Sequence, residues 1–191
     1  MATPEFYHDS DEQPEENDEI NPEKFFLYPN FDKSTLFDDL RREDFLAIKE
    51  EADKGNAESQ FIVGICYQDG KGVKKSNKLA FHYLEAGAKQ GHPRAQVLLG
   101  MFYELGLVGK PSPEKAFHFY SLAAQQGSSE AQVKIGDFYK AGRIVQQSFE
   151  QAVHFYHLAA EQNNPIAWLE LAEAYEKGNG VHRSHEEADF Y

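Results

Sequence analysis

One spacing constrains this chain more than any other property: small and aromatic residues recur every 36 positions. Gly55, Gly91, Gly127 and Asn163 form one such column, and Gly64, Gly100, Gly136 and Ala172 another. Tyr67, Tyr103, Tyr139 and Tyr175 form a third, and Gly70, Gly106, Gly142 and Gly178 a fourth. Ser76, Ser112, Ser148 and Ser184, then Ala80, Ala116, Ala152 and Ala188, complete the register without insertion or deletion. Self-similarity at this period marks a stacked array, each unit being one supersecondary element unable to bury its apolar face alone.

Each unit reads as two helices joined by a short loop. Apolar residues at helical spacing predict first helices over 57–69, 93–105, 129–141 and 165–177, each ending at a glycine suited to the left-handed C-terminal position. The serine column supplies N-caps for second helices over 76–90, 112–126 and 148–162. Ser148-x-x-Gln151 and Ser184-x-x-Glu187 read as capping boxes, and Pro113 sits at a first helical position, where proline is tolerated. A mid-helix glycine costs about 1 kcal/mol against alanine. Gly64, Gly100 and Gly136 therefore imply close helix approach, with Ala80, Ala116 and Ala152 expected opposite them. Tyr83, Phe119, Tyr120, Phe155 and Tyr156 are expected to fill the space between pairs, beside the Tyr67 column. The predicted fold is all-α, an α/α superhelix (solenoid) of tandem antiparallel helix hairpins.

Ala88, Gly91, Ala95, Gln96, Leu99, Gly100, Tyr103 and Gly106, with the segment Ala116-Phe-His-Phe-Tyr-Ser-Leu-Ala-Ala124, resemble the Sel-one-like repeat, a relative of the tetratricopeptide repeat. The resemblance covers residues 44–191. It implies an adaptor or scaffold, as in bacterial signalling, pathogen host-interaction factors and eukaryotic quality-control complexes. Three departures stand out. Leu107-Val108-Gly109 replaces the favoured Gly-x-Gly-Val, which implies a differently shaped loop. Asn163, Asn164, Pro165 and Trp168 alter the fourth unit. Cys66 is the only cysteine, so the disulfide-linked subgroup and its penicillin-binding activity are an unfavoured alternative.

Charge and composition divide the chain. Residues 1–33 hold ten acids against Lys24 and Lys33, a net of −8, leaving −5 of the total −13 to the rest. That segment reads as largely disordered, with an aromatic cluster at 25–31 that docks either in cis or on a partner. Residues 34–191 read as the solenoid: a capping helix over 34–53, then repeats at about 55–90, 91–126, 127–162 and 163–191. In the capping helix Phe45, Ile48 and Ala52 take the offsets of Phe81, Leu84 and Ala88. The chain stops about eight residues into its last helix, which reads as a piece of a longer repeat protein, a native stub being the alternative. An acidic body repels phosphate backbones, so no nucleic-acid partner is expected. No secretory leader and no membrane span is readable, which gives a cytoplasmic expectation with specialised export left open. The oligomeric state is left open.

No catalytic constellation emerges. Gly70-Lys-Gly-Val-Lys-Lys-Ser76 follows a helix and lacks the order of a phosphate loop. His82, His118 and His154 share a column, but helix layers about 8–10 Å apart cannot bring them to one metal. His154, His157 and Glu161 share one helix face and, like His182 and His185, read as surface residues rather than ligands. Cys66, beside Ile62 and Ile65, reads as a buried structural thiol. No enzyme activity, cofactor or metal is expected. The tetratricopeptide analogy implies a concave groove lined by the first helices, which binds a partner protein or peptide. Its positions here are Glu58, Phe61, Ile65 and Gln68; Arg94, Val97, Met101 and Glu104; Glu130, Val133, Asp137 and Lys140; and Ile166, Leu169, Glu173 and Glu176, with a place in the core between repeats the equal alternative for Phe61, Ile65, Val97 and Met101. Such a groove would be apolar in its first half and acidic in its second, fitting a peptide with an apolar anchor and some basic character. A translocated bacterial effector using the same groove is the other reading.

Overall fold

The computed structural model describes residues 42–191, and among these there are nine helices and no strand. They are α1 (Arg42–Asp53), α2 (Ala57–Asp69), α3 (Asn77–Lys89), α4 (Pro93–Leu105), α5 (Pro113–Gln125), α6 (Ser129–Ala141), α7 (Phe149–Ala160), α8 (Pro165–Lys177) and α9 (His185–Phe190). Four hairpins, α2/α3, α4/α5, α6/α7 and α8/α9, follow α1, and each helix packs against its chain neighbours. The expected first helices match residue for residue. The acidic segment, the aromatic cluster at 25–31 and the first residues of the expected capping helix lie outside the described residues.

From α2 onward each helix start is closed by a side chain. Asn56, His92, Ser128 and Asn164 accept backbone N–H bonds at the first helices, and Ser76, Ser112, Ser148 and Ser184 do so at the second. The serines also tie the loop shut, since the N–H groups of Ser76, Ser112, Ser148 and Ser184 donate to the carbonyls of Tyr67, Tyr103, Tyr139 and Tyr175. Those amides are thereby satisfied, so Gln151 and Glu187 are not called on for the return bond of a capping box. First helices end on Gly70, Gly106, Gly142 and Gly178 at φ of +75°, +65°, +64° and +74°. Asn163 holds φ +60° in the slot of Gly55, Gly91 and Gly127, because asparagine tolerates the left-handed region. The second loop does differ: its left-handed residue is Gly109, whereas the other loops use Gly72, Ile144 and Gly180, and Leu107 is drawn into the core.

Aromatic rings join the layers. Tyr67 stacks on Tyr83, Tyr103 on Phe119, Tyr139 on Phe155 and Tyr175 on Tyr191, with centroids 5.7–5.9 Å apart. From the preceding layer, Phe45 meets Tyr67 edge-on, Phe81 meets Tyr103 and Phe117 meets Tyr139. Thus α1 stands where the second helix of a preceding unit would stand. The interior glycines serve these large residues rather than the alanine column. A methyl on Gly100 would lie 2.7 Å from Cε1 of Tyr120, and one on Gly64 equally close to Leu84, while Ala80 offers only its carbonyl at 3.4 Å. Gly136 makes the same room for Tyr156.

Buried glutamines tie each hairpin to itself and to the one before. Within a hairpin Gln90, Gln126 and Gln162 donate to the buried Gln60, Gln96 and Gln132 at 2.7–2.8 Å. Gln60 and Gln96 in turn donate to the carbonyls of Ala52 and Ala88. Trp168, which replaces this glutamine, reproduces the second bond through its indole N–H to Ala160. The core falls into two clusters that meet at α6, with Tyr139 packed against both. Cys66 is fully buried, and burial pushes its thiol up to about 11, outside the reactive range.

Two stability measurements check this packing. Gly100→Ala should lower the urea midpoint by the equivalent of about 1–3 kcal/mol, because the buried Tyr120 ring cannot yield, despite a helix-propensity gain of about 1 kcal/mol. Ile144, exposed and β-branched at φ +67°, is strained. Ile144→Gly should raise the midpoint by about 1 kcal/mol.

Candidate functional site

The positions expected to line a groove share the faces of α2, α4, α6 and α8, yet they do not share an environment. Phe61, Ile65, Val97, Met101 and Val133 are buried between units, as is Gln68. Gln68 Oε1 has no hydrogen-bond partner among the described residues. Their apolar side chains serve the core, because the following unit covers them. Leu169, in the column of Phe61 and Val97, is 70% exposed. Glu58, Arg94 and Glu176 are exposed, and Glu104, Glu130, Asp137, Lys140, Glu173 and Ile166 are half-buried.

At the first two units the face is closed by local contacts. His92 accepts from the Ala95 N–H through Nδ1, which leaves Nε2 as the N–H that donates to Glu58 at 2.8 Å. Its ring stacks on Phe61 at 4.8 Å, with the Arg94 guanidinium 5.9 Å from the same ring.

At the last three units the face becomes a charged row running from helix to helix. Lys134 lies 3.6 Å from Glu104, whose carboxylate accepts from the Tyr120 hydroxyl at 2.9 Å. Asp137 accepts from the Tyr156 hydroxyl at 2.9 Å. Lys140 bridges to α8, donating to Glu170 at 2.6 Å and Glu173 at 2.7 Å, and Glu173 also pairs with Lys177. Of the positions expected to line a groove, Lys140 and Glu173 meet directly, whereas Glu104 and Asp137 each accept from a tyrosine of their own hairpin. Lys134 and Glu170 were missed, although the signal was present: their column changes from Ile62 and Leu98 to these two charges.

Partial burial sets the electrostatics. Burial lifts Asp137 from an ordinary 3.8 to about 6, against the pull of Lys134 and the Tyr156 hydrogen bond. Burial likewise holds the Lys134 ammonium below the lysine range. Burial opposes the charge on Lys140, but its hydrogen bonds to Glu170 and Glu173 outweigh that and raise it. Hydrogen bonds from Lys140 and Lys177 hold Glu173 down at about 2. Burial pushes the Tyr120 and Tyr156 phenols far above 10, so they stay protonated and donate to Glu104 and Asp137.

Among the described residues no three histidine, cysteine or acidic side chains converge to hold a metal. His157 instead sits against the rings of Tyr175 and Tyr191. No helix among these residues is long and apolar enough to cross a membrane.

Comparison with known families matches Sel1 repeats to residues 57–92, 93–128, 129–164 and 166–188. The chain belongs to the Sel1 repeat family. Sel1 repeats are generally protein-interaction scaffolds and typically non-catalytic. Among solved structures, a Sel1 repeat protein from Oxalobacter formigenes is 28% identical with a TM-score of 0.74, over 78% of this chain and 59% of its own. The protective antigen c5321 of uropathogenic Escherichia coli, with an SLR fold, is 29% identical with a TM-score of 0.72, over 75% of this chain and 31% of its own. This chain therefore spans about three fifths of the first relative and under a third of the second. Cysteine-rich protein B of Helicobacter pylori shares the fold, with a TM-score of 0.55 at 20% identity, over 68% of this chain and 96% of its own. No curated protein matched the sequence.

The Sel1 solenoid should carry a pH signature from Asp137. Its folded value lies above the ordinary one, so between about pH 4 and 6 the native state holds a proton that the unfolded chain releases. Stability from this residue is thus present at low pH and lost as pH rises through about 6. Glu173 has the opposite sign, its contribution being lost as pH falls from about 4.5 towards 2. Asp137→Asn should remove the first component, so that the variant's midpoint gains less than the wild type's on going from pH 7 to 4.5 in urea titrations.

Proposed function

We propose that this Sel1-repeat chain is a non-catalytic adaptor that binds a partner polypeptide on its first-helix face, at the end nearest α8. The supporting observation is the surface of α8. Glu170, Glu173 and Glu176 follow one another at spacings of three, a helical neighbour relation, with Lys140 and Lys177 as their cations and exposed Leu169 beside them. Such a face suits an extended or helical peptide with an apolar anchor and basic side chains. The columns on this face vary between units while the framework columns do not, as expected where recognition, not packing, sets the residue. Within this reading Glu58, Arg94, Glu130, Lys140, Glu173 and Glu176 are the reachable positions. Phe61, Ile65, Val97 and Met101 act beneath them by holding the helices in register.

The test starts from capture of a binding partner by the full chain and its identification by mass spectrometry. Leu169→Glu and Glu176→Lys, both on exposed side chains, should leave stability within about 0.5 kcal/mol. Together they should weaken that partner about tenfold or more, as loss of a central anchor does. Unchanged affinity in the folded double variant would place binding on another surface.

A further inference from the structure

The first helices meet one another in a fixed register. Phe61, the fifth residue of α2, is met by the ring of His92 at 4.8 Å and by the Arg94 guanidinium at 5.9 Å. His92 caps α4 and Arg94 is its second residue. The twelfth residue is met further along: Glu104 of α4 by Lys134 at 3.6 Å, and Lys140 of α6 by Glu170 at 2.6 Å and Glu173 at 2.7 Å. Those partners are the sixth residue of α6 and the sixth and ninth of α8. Each first helix thus lies parallel to the one before it, with its second residue over the fifth and its sixth and ninth over the twelfth.

On α8 the fifth and twelfth residues are Leu169 and Glu176. Phe61, Val97 and Val133 in the column of Leu169 are 2%, 9% and 3% exposed, against 70% for Leu169 itself. Glu176 is exposed as well, and the cations nearest to it along the face, Lys140 and Lys177, are taken up by Glu170 and Glu173. The charge of the twelfth residue changes sign from Glu104 to Lys140, and each time the following helix answers with the opposite charge. Glu176 is acidic again and calls for a cation. The helix exposed at the other end of the stack, α1, does not supply one. Its exposed Leu46 is followed four and seven residues later by the exposed acids Glu50 and Asp53, which would repel Glu176 in an end-to-end contact between copies.

We propose that the partner protein meets this face as a helix, lying parallel to α8 in the register of a following first helix. That helix carries an apolar side chain at one position and lysine or arginine four and seven residues later. The apolar group covers Leu169 and the two cations answer Glu176. Positions so spaced share one side of a helix, so a single face makes all three contacts. The inference rests on the reading of the α8 face as the partner site, and it adds the conformation, direction and register of what binds there.

The probe is a hydrocarbon-stapled peptide of about 16 residues, since an unsupported helix of that length is marginal in water. It carries Leu-x-x-x-Lys-x-x-Lys and a terminal fluorophore, and its anisotropy is followed as the full chain is added. One control has no staple and a central proline, which keeps it from forming a helix. The other is stapled and equally charged but has both lysines moved two positions along, away from the leucine face. The stapled probe should bind about tenfold or more tightly than either control, and Leu169→Glu should weaken it by about as much. Glu176→Lys should weaken it up to about fivefold, the scale of an exposed ion pair. A stapled peptide with glutamates in place of both lysines should prefer that variant to the wild type. Both variants should keep the wild-type circular dichroism. Equal or tighter binding by the proline control would overturn the helical register and leave an adaptor for extended segments standing. Equal binding by the shifted-lysine control would reduce recognition to net charge and overturn the proposal. Absence of saturable binding would overturn it too, with the adaptor reading still decided by the captured partner. Probe binding unaffected by Leu169→Glu and Glu176→Lys would count against both. Self-association in the ultracentrifuge that Leu169→Glu removes would seat a second copy on α8 and overturn it equally.

Discussion

Helices of 12 or 13 residues are at the limit of what can persist alone in water, and α1 to α8 are all of that length. Every one is therefore held by its neighbours, and the tyrosine column is where that dependence is concentrated. Each of its rings from Tyr67 to Tyr139 is stacked on an aromatic of its own hairpin and met edge-on by a phenylalanine of the layer before. Stacked and edge-on pairs are the two arrangements that the ring quadrupole favours. No unit can be removed without stripping one side from the rings of another, and that is why the array behaves as one body despite consisting of short parts.

The same dependence determines what is left over for recognition. Glycine columns are reserved for Leu84, Tyr120 and Tyr156, the glutamine column of the first helices for bonds to the preceding unit, and serine columns for loop closure. Only columns facing away from these duties are free to vary. Along the first helices they change from apolar in the first two units to charged in the last two. The charged part is more than decoration of the surface. Lys134 and Asp137 are sufficiently enclosed that burial shifts both toward their neutral forms, whereas Lys140 and Glu173 hold their charges by pairing.

Several residues show how far inspection of the chain could reach. The columns placed every first helix to the residue, since a fixed period with glycine stops leaves little freedom in where a helix ends. Opposition of glycine and alanine was a reasonable expectation that the packing replaced with glycine against Leu84, Tyr120 and Tyr156. Side chains four positions further along α3, α5 and α7 lean back over that spot, a direction that spacing does not reveal. Trp168 looked like a lapse from the motif, yet it donates the same bond as Gln60 and Gln96. Phe61, Ile65, Val97 and Met101 were legible as apolar with lining and core equally open, and packing buries all four.

The sequence by itself determined the fold class, the register, the caps and the columns reserved for packing, because each follows from local propensity repeated at a fixed interval. Tertiary structure alone decided which variable residues are reachable and which charges meet. Lys140 finds Glu170 and Glu173 across 30 and 33 residues, and Lys134 finds Glu104 in the unit before. Those distances depend on how one hairpin is set against the next, and that setting comes from side-chain volumes filling a shared interior, which no single unit encodes.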